Sequence, residues 1–153
     1  MSGVLAGGSC IGGVEGVIVN QRYDRALIAA AVIVADGRVL LVRRRVNEGQ
    51  LSWQFPAGEV EPEESAEEAA VRETGEETGL TVHSVQRLGE RIHPATGRKM
   101  VYVVCRVLKG TAYVADEEEL AEVAWCNRRE LVEYVPYPFY GPVQDYFDIH
   151  LAD

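Results

Sequence analysis

Between Gly58 and Leu80 the chain reads GEVEPEESAEEAAVRETGEETGL, with nine glutamates from Glu59 to Glu77 and a single basic residue, Arg72. Its local signals specify a helix. Ser65-Ala66-Glu67-Glu68 fits the capping box S-x-x-E, so the regular helix begins near Ala66. Gly79 in Thr78-Gly79-Leu80 is a left-handed stop, and Pro62 suits the approach loop or first turn. Ala66, Ala69, Ala70 and Val71 are small enough to let the helix lie close to a sheet. An ordinary surface helix interleaves Lys and Arg with its acids at i,i+4. This one does not, so it must either repel itself or bind cations. Glu73, Glu76 and Glu77 recur at spacings of three and four, which is one helix face. Three carboxylates opposed by one arginine make a site for a hard divalent cation such as Mg²⁺.

Composition matters mainly through where the charge lies. The formal net charge is −9 over 153 residues, and the acidic stretch accounts for nearly all of it. Local acidity argues for a cation at one site and against a general nucleic-acid surface, which would show a basic patch. The length suits one domain with a real core, and 47% hydrophobic with 25% charged residues is ordinary for a soluble protein. Cys10, Cys105 and Cys126 are odd in number and lack C-x-x-C spacing, which argues against a disulfide framework or zinc site and for a reducing cytoplasm. Cys105 and Cys126 sit in apolar runs and are expected to be buried. No Lys or Arg precedes Arg22 and no apolar run reaches membrane-spanning length, so neither a signal peptide nor a membrane partner is expected.

In chain order, residues 1–20 are rich in glycine and read as a flexible arm, with Gly16 to Val19 as a candidate edge strand. Residues 21–153 read as a single domain. Ala26 to Ala35 and Arg38 to Arg45 flank Asp36-Gly37, a strong hairpin signal. The second strand ends in Arg43, Arg44 and Arg45. Alternation lets at most two of them serve one site, as a phosphate clamp, and a solvated edge is the competing reading. Leu51 to Phe55 reads as a short strand stopped by Pro56, with Trp53 and Phe55 on one face as core, and Ala57-Gly58 as a turn into the helix. Further strands are expected over Thr81 to Arg91, Met100 to Leu108 and Glu122 to Cys126. Asp116 to Glu119 is a second acidic cluster in a loop. A short helix over Arg128 to Tyr134, capped by Asn127, and a terminal helix over Gly141 to Leu151 complete the chain. His83, His93 and His150 are unclustered and are not expected to be ligands.

With these residues laid out, the central stretch resembles the Nudix box, G-x5-E-x7-R-E-U-x-E-E-x-G-U, where U is a bulky aliphatic. Gly58, Glu64, Arg72, Glu73, Glu76, Glu77, Gly79 and Leu80 occupy its fixed positions. Thr74 departs from an aliphatic position, which predicts looser packing there without loss of a ligand. The resemblance implies an α/β fold, a Nudix-type α/β/α sandwich with a mixed sheet. It also implies hydrolysis of a nucleoside diphosphate linked to another moiety, with Mg²⁺ or Mn²⁺. Carried over by position, Glu73 and Glu77 are the principal metal ligands and Glu76 a further ligand or base. The Ala57 carbonyl is another ligand. Gly58, Glu64 and Arg72 support the ligands. Glu117 and Glu118 stand where relatives often place an extra catalytic glutamate, against the alternative of a solvated turn.

The box specifies a reaction and leaves the substrate open. The F-P-A-G approach is shared by ADP-ribose-type members, whereas the strand arginines and Glu122-x-x-Trp125 are more similar to MutT-type enzymes acting on nucleoside triphosphates. The favoured expectation is a (d)NTP or modified (d)NTP cleaved to the monophosphate and pyrophosphate. An ADP-ribose or nucleotide-sugar pyrophosphatase is the close alternative. A non-catalytic nucleotide-binding Nudix module is the alternative of another class, although such relatives typically lose box glutamates and none is missing here. A dimeric scaffold would leave the unpaired charge unexplained. Arg43, Arg44, Arg98 and Lys99 are candidate phosphate contacts; Tyr102, Tyr137, Phe139 and Tyr140 are candidate base contacts. The apolar arm is compatible with a homodimer.

Overall fold

A computed structural model describes residues 26–48 and 51–153. The expected arm over residues 1–20, its Gly16 to Val19 strand and Cys10 lie outside the described residues. The element order is β1 (Ile28–Ala35), β2 (Arg38–Glu48), β3 (Leu51–Gln54), β4 (Ala57–Glu59), α1 (Ala66–Thr78), β5 (Thr81–Ile92), β6 (Lys99–Lys109), β7 (Leu120–Cys126), α2 (Arg128–Tyr134) and α3 (Gly141–His150).

β1 is the hub, because its apolar run has no face fit for water. Ala29 to Ile33 are wholly buried. β1 pairs in parallel with β6 through Ala30↔Tyr102, and antiparallel with β4 through Ala30↔Ala57 and with β2 through Val34↔Val39. β5 flanks β6, while β3 and β7 flank β2. The parallel β1–β6 pair makes the sheet mixed, and alternation sorts its residues into two cores. Ala29, Ala31, Ile33, Leu40, Val101, Val103 and Cys105 face Ala66, Ala69 and Ala70 of α1. Ala30, Val32, Leu41, Phe55 and Tyr102 form the other core with Leu131 of α2 and Val143 and Phe147 of α3. Helices on both faces give the expected α/β/α sandwich.

α1 has the expected boundaries. Ser65 Oγ accepts from the Glu68 amide at 3.0 Å, and Glu68 Oε1 accepts from the Ser65 amide at 2.9 Å. Gly79 closes the helix at φ 76°, its amide donating to the Gly75 carbonyl. A Cβ at Gly79 would collide with the Tyr113 ring, so glycine is required twice over. Thr74 is fully buried with Oγ1 donating to the Ala70 carbonyl at 2.7 Å, so the expected looseness is absent there.

Two expectations need correction near the helix approach. Strand β3 stops at Gln54, so Phe55 lies outside it, although Trp53 and Phe55 still pack into one core. Ala57-Gly58 is not a turn but part of β4, which pairs with β1. The physical reason lies in β1: its N-terminal half needs an antiparallel partner that β2, paired near Val34 and Ala35, does not reach. Cys105 and Cys126 are buried free thiols, pushed up to about 12 and about 11 by burial.

Candidate active site

The C-terminal half of α1 presents its acids to the end of β4. Glu77 and Glu73 are largely buried there, with 2% and 16% of their side chains exposed, whereas Glu76 is 58% exposed. The i,i+4 pair therefore faces the sheet and Glu76 faces outward. Gly58 makes the approach feasible, because a Cβ on it would fall on Glu73 Cγ, Cδ and Oε2.

Arg72 organises one side of this face. Its Nε and Nη2 donate to Glu64 at 2.8 and 2.9 Å, Nη2 also to the Glu59 carbonyl at 3.0 Å, and Nη1 to Glu73 at 3.1 Å and Glu76 at 3.4 Å. Glu64 also accepts from the Glu61 amide. Hydrogen bonding by Arg72 and then by the Glu61 amide holds the Glu64 carboxyl down to about 2, and the same Glu64 contact raises Arg72. Glu64 is thus a fixed anion that aims the arginine fork at the other carboxylates. Arg72→Lys keeps the charge but cannot make the fork. It is expected to lower the melting temperature by about 5 °C and turnover by roughly 10–100-fold, read by thermal melts and steady-state kinetics.

Arg44 organises the other side. Nη2 donates to the Ala57 carbonyl at 2.7 Å and to Glu77 Oε2 at 3.0 Å, and Nη1 to Glu119 at 3.2 Å. Burial pushes the Glu77 carboxyl up to about 7 against the pull of Arg44. A raised carboxylate favours the fold while protonated, so that contribution is full below about 4.5 and is lost as pH rises through about 7. Burial likewise raises Glu73, against the opposing pull of Arg72.

These donors fit a hard divalent cation. All are oxygens, and Glu77 Oε1 is buried with no hydrogen-bond partner among the described residues. A guanidinium already lies between the Ala57 carbonyl and Glu77, so positive charge is accommodated there. Among the described residues no three acidic, imidazole or thiol side chains converge on one point as they stand. Glu73 is turned to Arg72 and Glu77 to Arg44, and a cation drawing on both must take their oxygens from two arginines.

The second acidic cluster reaches the same place. Tyr113 and Ala115 amides donate to the Thr78 and Glu77 carbonyls, satisfying the helix end and drawing residues 113–116 along it. The Arg45 amide donates to the Glu119 carbonyl at 2.9 Å, and Arg45 Nε donates to the Glu117 carbonyl. Glu118 and Glu119 join the main cavity wall. The Glu117 side chain instead shares a shallow depression with Glu76 and Glu118. Glu119, not a candidate from the sequence, is the acid of this cluster that pairs with Arg44. Its only signal was its place just before the β7 strand that pairs with the arginine-rich strand.

One cavity of about 1320 Å³, ample for a nucleotide, lies beside these groups, with Arg72, Glu77 and Glu117 off its wall. Gly58, Glu73 and Glu76 line its acidic side, and Arg44, Arg45 and Arg98 add basic groups. Tyr102, Tyr137, Phe139 and Tyr140 supply aromatic walls. Arg98 donates to the Ala26 carbonyl and Glu59, and its Nε is buried without a partner among the described residues. Two expected contacts are not brought here. Arg43 pairs with Glu122 at 2.7 Å, on the far side of the register shift between Arg43 and Arg44, and Lys99 pairs with Glu90 at 3.0 Å. Neither is on the cavity wall. His93 lines the cavity; His83 and His150 do not.

The model of the NUDIX domain matches residues 24–146. The chain is 30% identical over 123 residues to the CTP pyrophosphohydrolase of Escherichia coli strain K12, covering 78% of this chain and 89% of that one. It is 32% identical over 114 residues to the human nucleoside diphosphate-linked moiety X motif 6, covering 69% of this chain and 35% of that longer protein. The crystal structure of the MutT protein from Methanosarcina mazei Go1 superposes with a TM-score of 0.62 at 28% identity, over 80% of this chain and 92% of that one.

Proposed function

This chain belongs to the Nudix family of pyrophosphohydrolases acting on nucleoside diphosphate derivatives, and from that premise we propose that it cleaves a (d)NTP or modified (d)NTP to the monophosphate and pyrophosphate. One observation carries the reading: acidic, basic and aromatic walls meet in a single cavity, so that a phosphate chain and a base can be held together. The name of the Escherichia coli relative points the same way.

In this proposal Glu73, Glu77 and the Ala57 carbonyl would hold Mg²⁺ or Mn²⁺, with Glu76 as a further ligand or base. When bound, the cation would neutralise diphosphate oxygens and lower the pKa of water toward neutrality. Arg72 keeps Glu73 and Glu76 aimed, anchored by Glu64. Arg44, pulled from Glu77 by the incoming charge, and Arg45 and Arg98 meet the phosphate oxygens. Glu76 or Glu118 takes the proton of the attacking water; both are exposed at the cavity edge, where they can pass it to solvent. Among the described residues no helix is long and apolar enough to cross a membrane. With buried thiols at Cys105 and Cys126, we place the protein in the cytoplasm.

The test is a panel of nucleoside triphosphates, ADP-ribose and nucleotide sugars incubated with Mg²⁺ and resolved by ion exchange. The expected products are an NMP and pyrophosphate. AMP with ribose 5-phosphate would move the assignment to the ADP-ribose reading, and binding without cleavage would move it to the non-catalytic module.

A further inference from the structure

Arg91 has no part in the chemistry above, yet it is built into the cavity wall. It sits on β5 opposite Met100, beside the aromatic end. Its guanidinium carbon lies 5.7 Å from the Tyr102 ring centre and 5.4 Å from that of Tyr140, while the two rings are 5.3 Å apart. Its Nε donates to Tyr102 Oη at 3.1 Å, and Tyr140 Oη donates to the Glu90 carbonyl at 3.1 Å. Phe55 braces Tyr102 edge-on at 6.3 Å. Arg91 is therefore oriented by two aromatic faces and one hydrogen bond. Its two terminal amino groups make no hydrogen bond among the described residues. A planar fork fixed in this way matches two adjacent acceptors lying in one plane.

The register shows which part of a substrate it would meet. Arg91 pairs with Met100, Met100 with Ile28, and Ile28 with Glu59 beside the acidic face. Three strand spacings separate β5 from β4, about 14 Å between backbones. With phosphates at the carboxylates, the ribose and base fill that interval. We propose that Arg91 is the specificity-determining residue, reading a base edge with two adjacent acceptors. Cytosine offers O2 and N3, and guanine offers O6 and N7. Adenine sets a donor beside each ring acceptor of that edge, and uracil puts N3–H between its carbonyls. This inference rests on the nucleoside-triphosphate reading of the same site.

The experiment compares kcat/KM for CTP, GTP, UTP and ATP in the wild-type protein and in Arg91→Gln. CTP or GTP is expected to exceed both UTP and ATP by roughly tenfold or more. CTP over GTP assigns the pyrimidine edge, whereas GTP over CTP with a loss on 7-deaza-GTP assigns O6 and N7. Glutamine offers one donor and one acceptor, so Arg91→Gln is expected to erode that preference and gain on ATP. The loss is expected in KM, with kcat kept within about threefold. Equal turnover of all four bases by the wild type, or preference for ATP or UTP, overturns the assignment. So does an equal fall on all four in Arg91→Gln, which would mark a phosphate contact or a structural role. Arg91→Lys, which keeps the cation on the tyrosines without the fork, must show the same loss of discrimination should Arg91→Gln not fold. If no triphosphate is cleaved, the proposed reaction falls, and the base assignment is judged by equilibrium binding of CMP, GMP, UMP and AMP. Equal affinities for those four would sink it.

Discussion

Glu77→Gln is expected to lower Mg²⁺-dependent turnover by roughly 10³-fold, several kcal/mol of transition-state stabilisation, while the protein stays folded. The fold should survive because the substitution is nearly isosteric and removes a charge that burial already disfavours. The Glu77 side chain is 2% exposed and burial pushes its carboxyl up to about 7. Arg44 keeps the Ala57 carbonyl and Glu119 as partners. What disappears is an anionic oxygen donor at the buried end of the acidic face. Kinetics paired with a thermal melt check this: unchanged turnover contradicts a role for Glu77, and an early melt would place the effect in folding.

Gly58→Ala should be the second most damaging change, although Gly58 carries no chemistry. The added methyl would occupy the space of Glu73 Cγ, Cδ and Oε2. Helix α1 cannot withdraw cheaply, because Ala69 and Ala70 are wholly buried against the sheet. The Glu73 side chain must therefore swing, leaving Arg72 Nη1. Turnover is expected to fall by about 10²-fold and stability by about 1–2 kcal/mol. Gly75→Ala is the matched control. Its methyl would meet only the Leu80 carbonyl at 3.7 Å, an ordinary contact, and helix propensity should add up to about 1 kcal/mol with activity retained. Denaturant titrations and kinetics on the two variants separate the outcomes; equal activity in both would remove the case for a cradle at Gly58.

What could be read from the sequence was mostly what local chemistry decides. The capping box at Ser65, the stop at Gly79, the Asp36-Gly37 turn and the Asn127 cap each act within four residues, and the structure has helices and turns at those places. Spacing put Glu73, Glu76 and Glu77 on one face, but only Glu73 and Glu77 turn toward the sheet and Glu76 faces outward. Features set by distant pairing were hidden. β4 forms because β1 needs a partner, so Ala57-Gly58 looked like a turn. Strict alternation would group Arg43 with Arg45, whereas Arg44 and Arg45 line the cavity past a register shift, and the pairing of Arg44 with Leu120 places Arg44 beside Glu119. Lys99 and Arg98 are neighbours in sequence, yet Lys99 at the start of β6 pairs with Glu90 and Arg98 just before it pairs with Glu59. The aromatic end joins residues as far apart as Phe55, Tyr102 and Tyr140, a contact set with no local signature.

Mn²⁺ titration followed by electron paramagnetic resonance tests whether the Glu73 and Glu77 face holds a divalent cation, without any assumption about substrate. The wild-type protein should remove the free-ion signal in a saturable way, and Glu77→Gln should bind at least about tenfold more weakly. Equal affinity in the two proteins, or no binding by the folded wild type, would rule out a cation site built on Glu77.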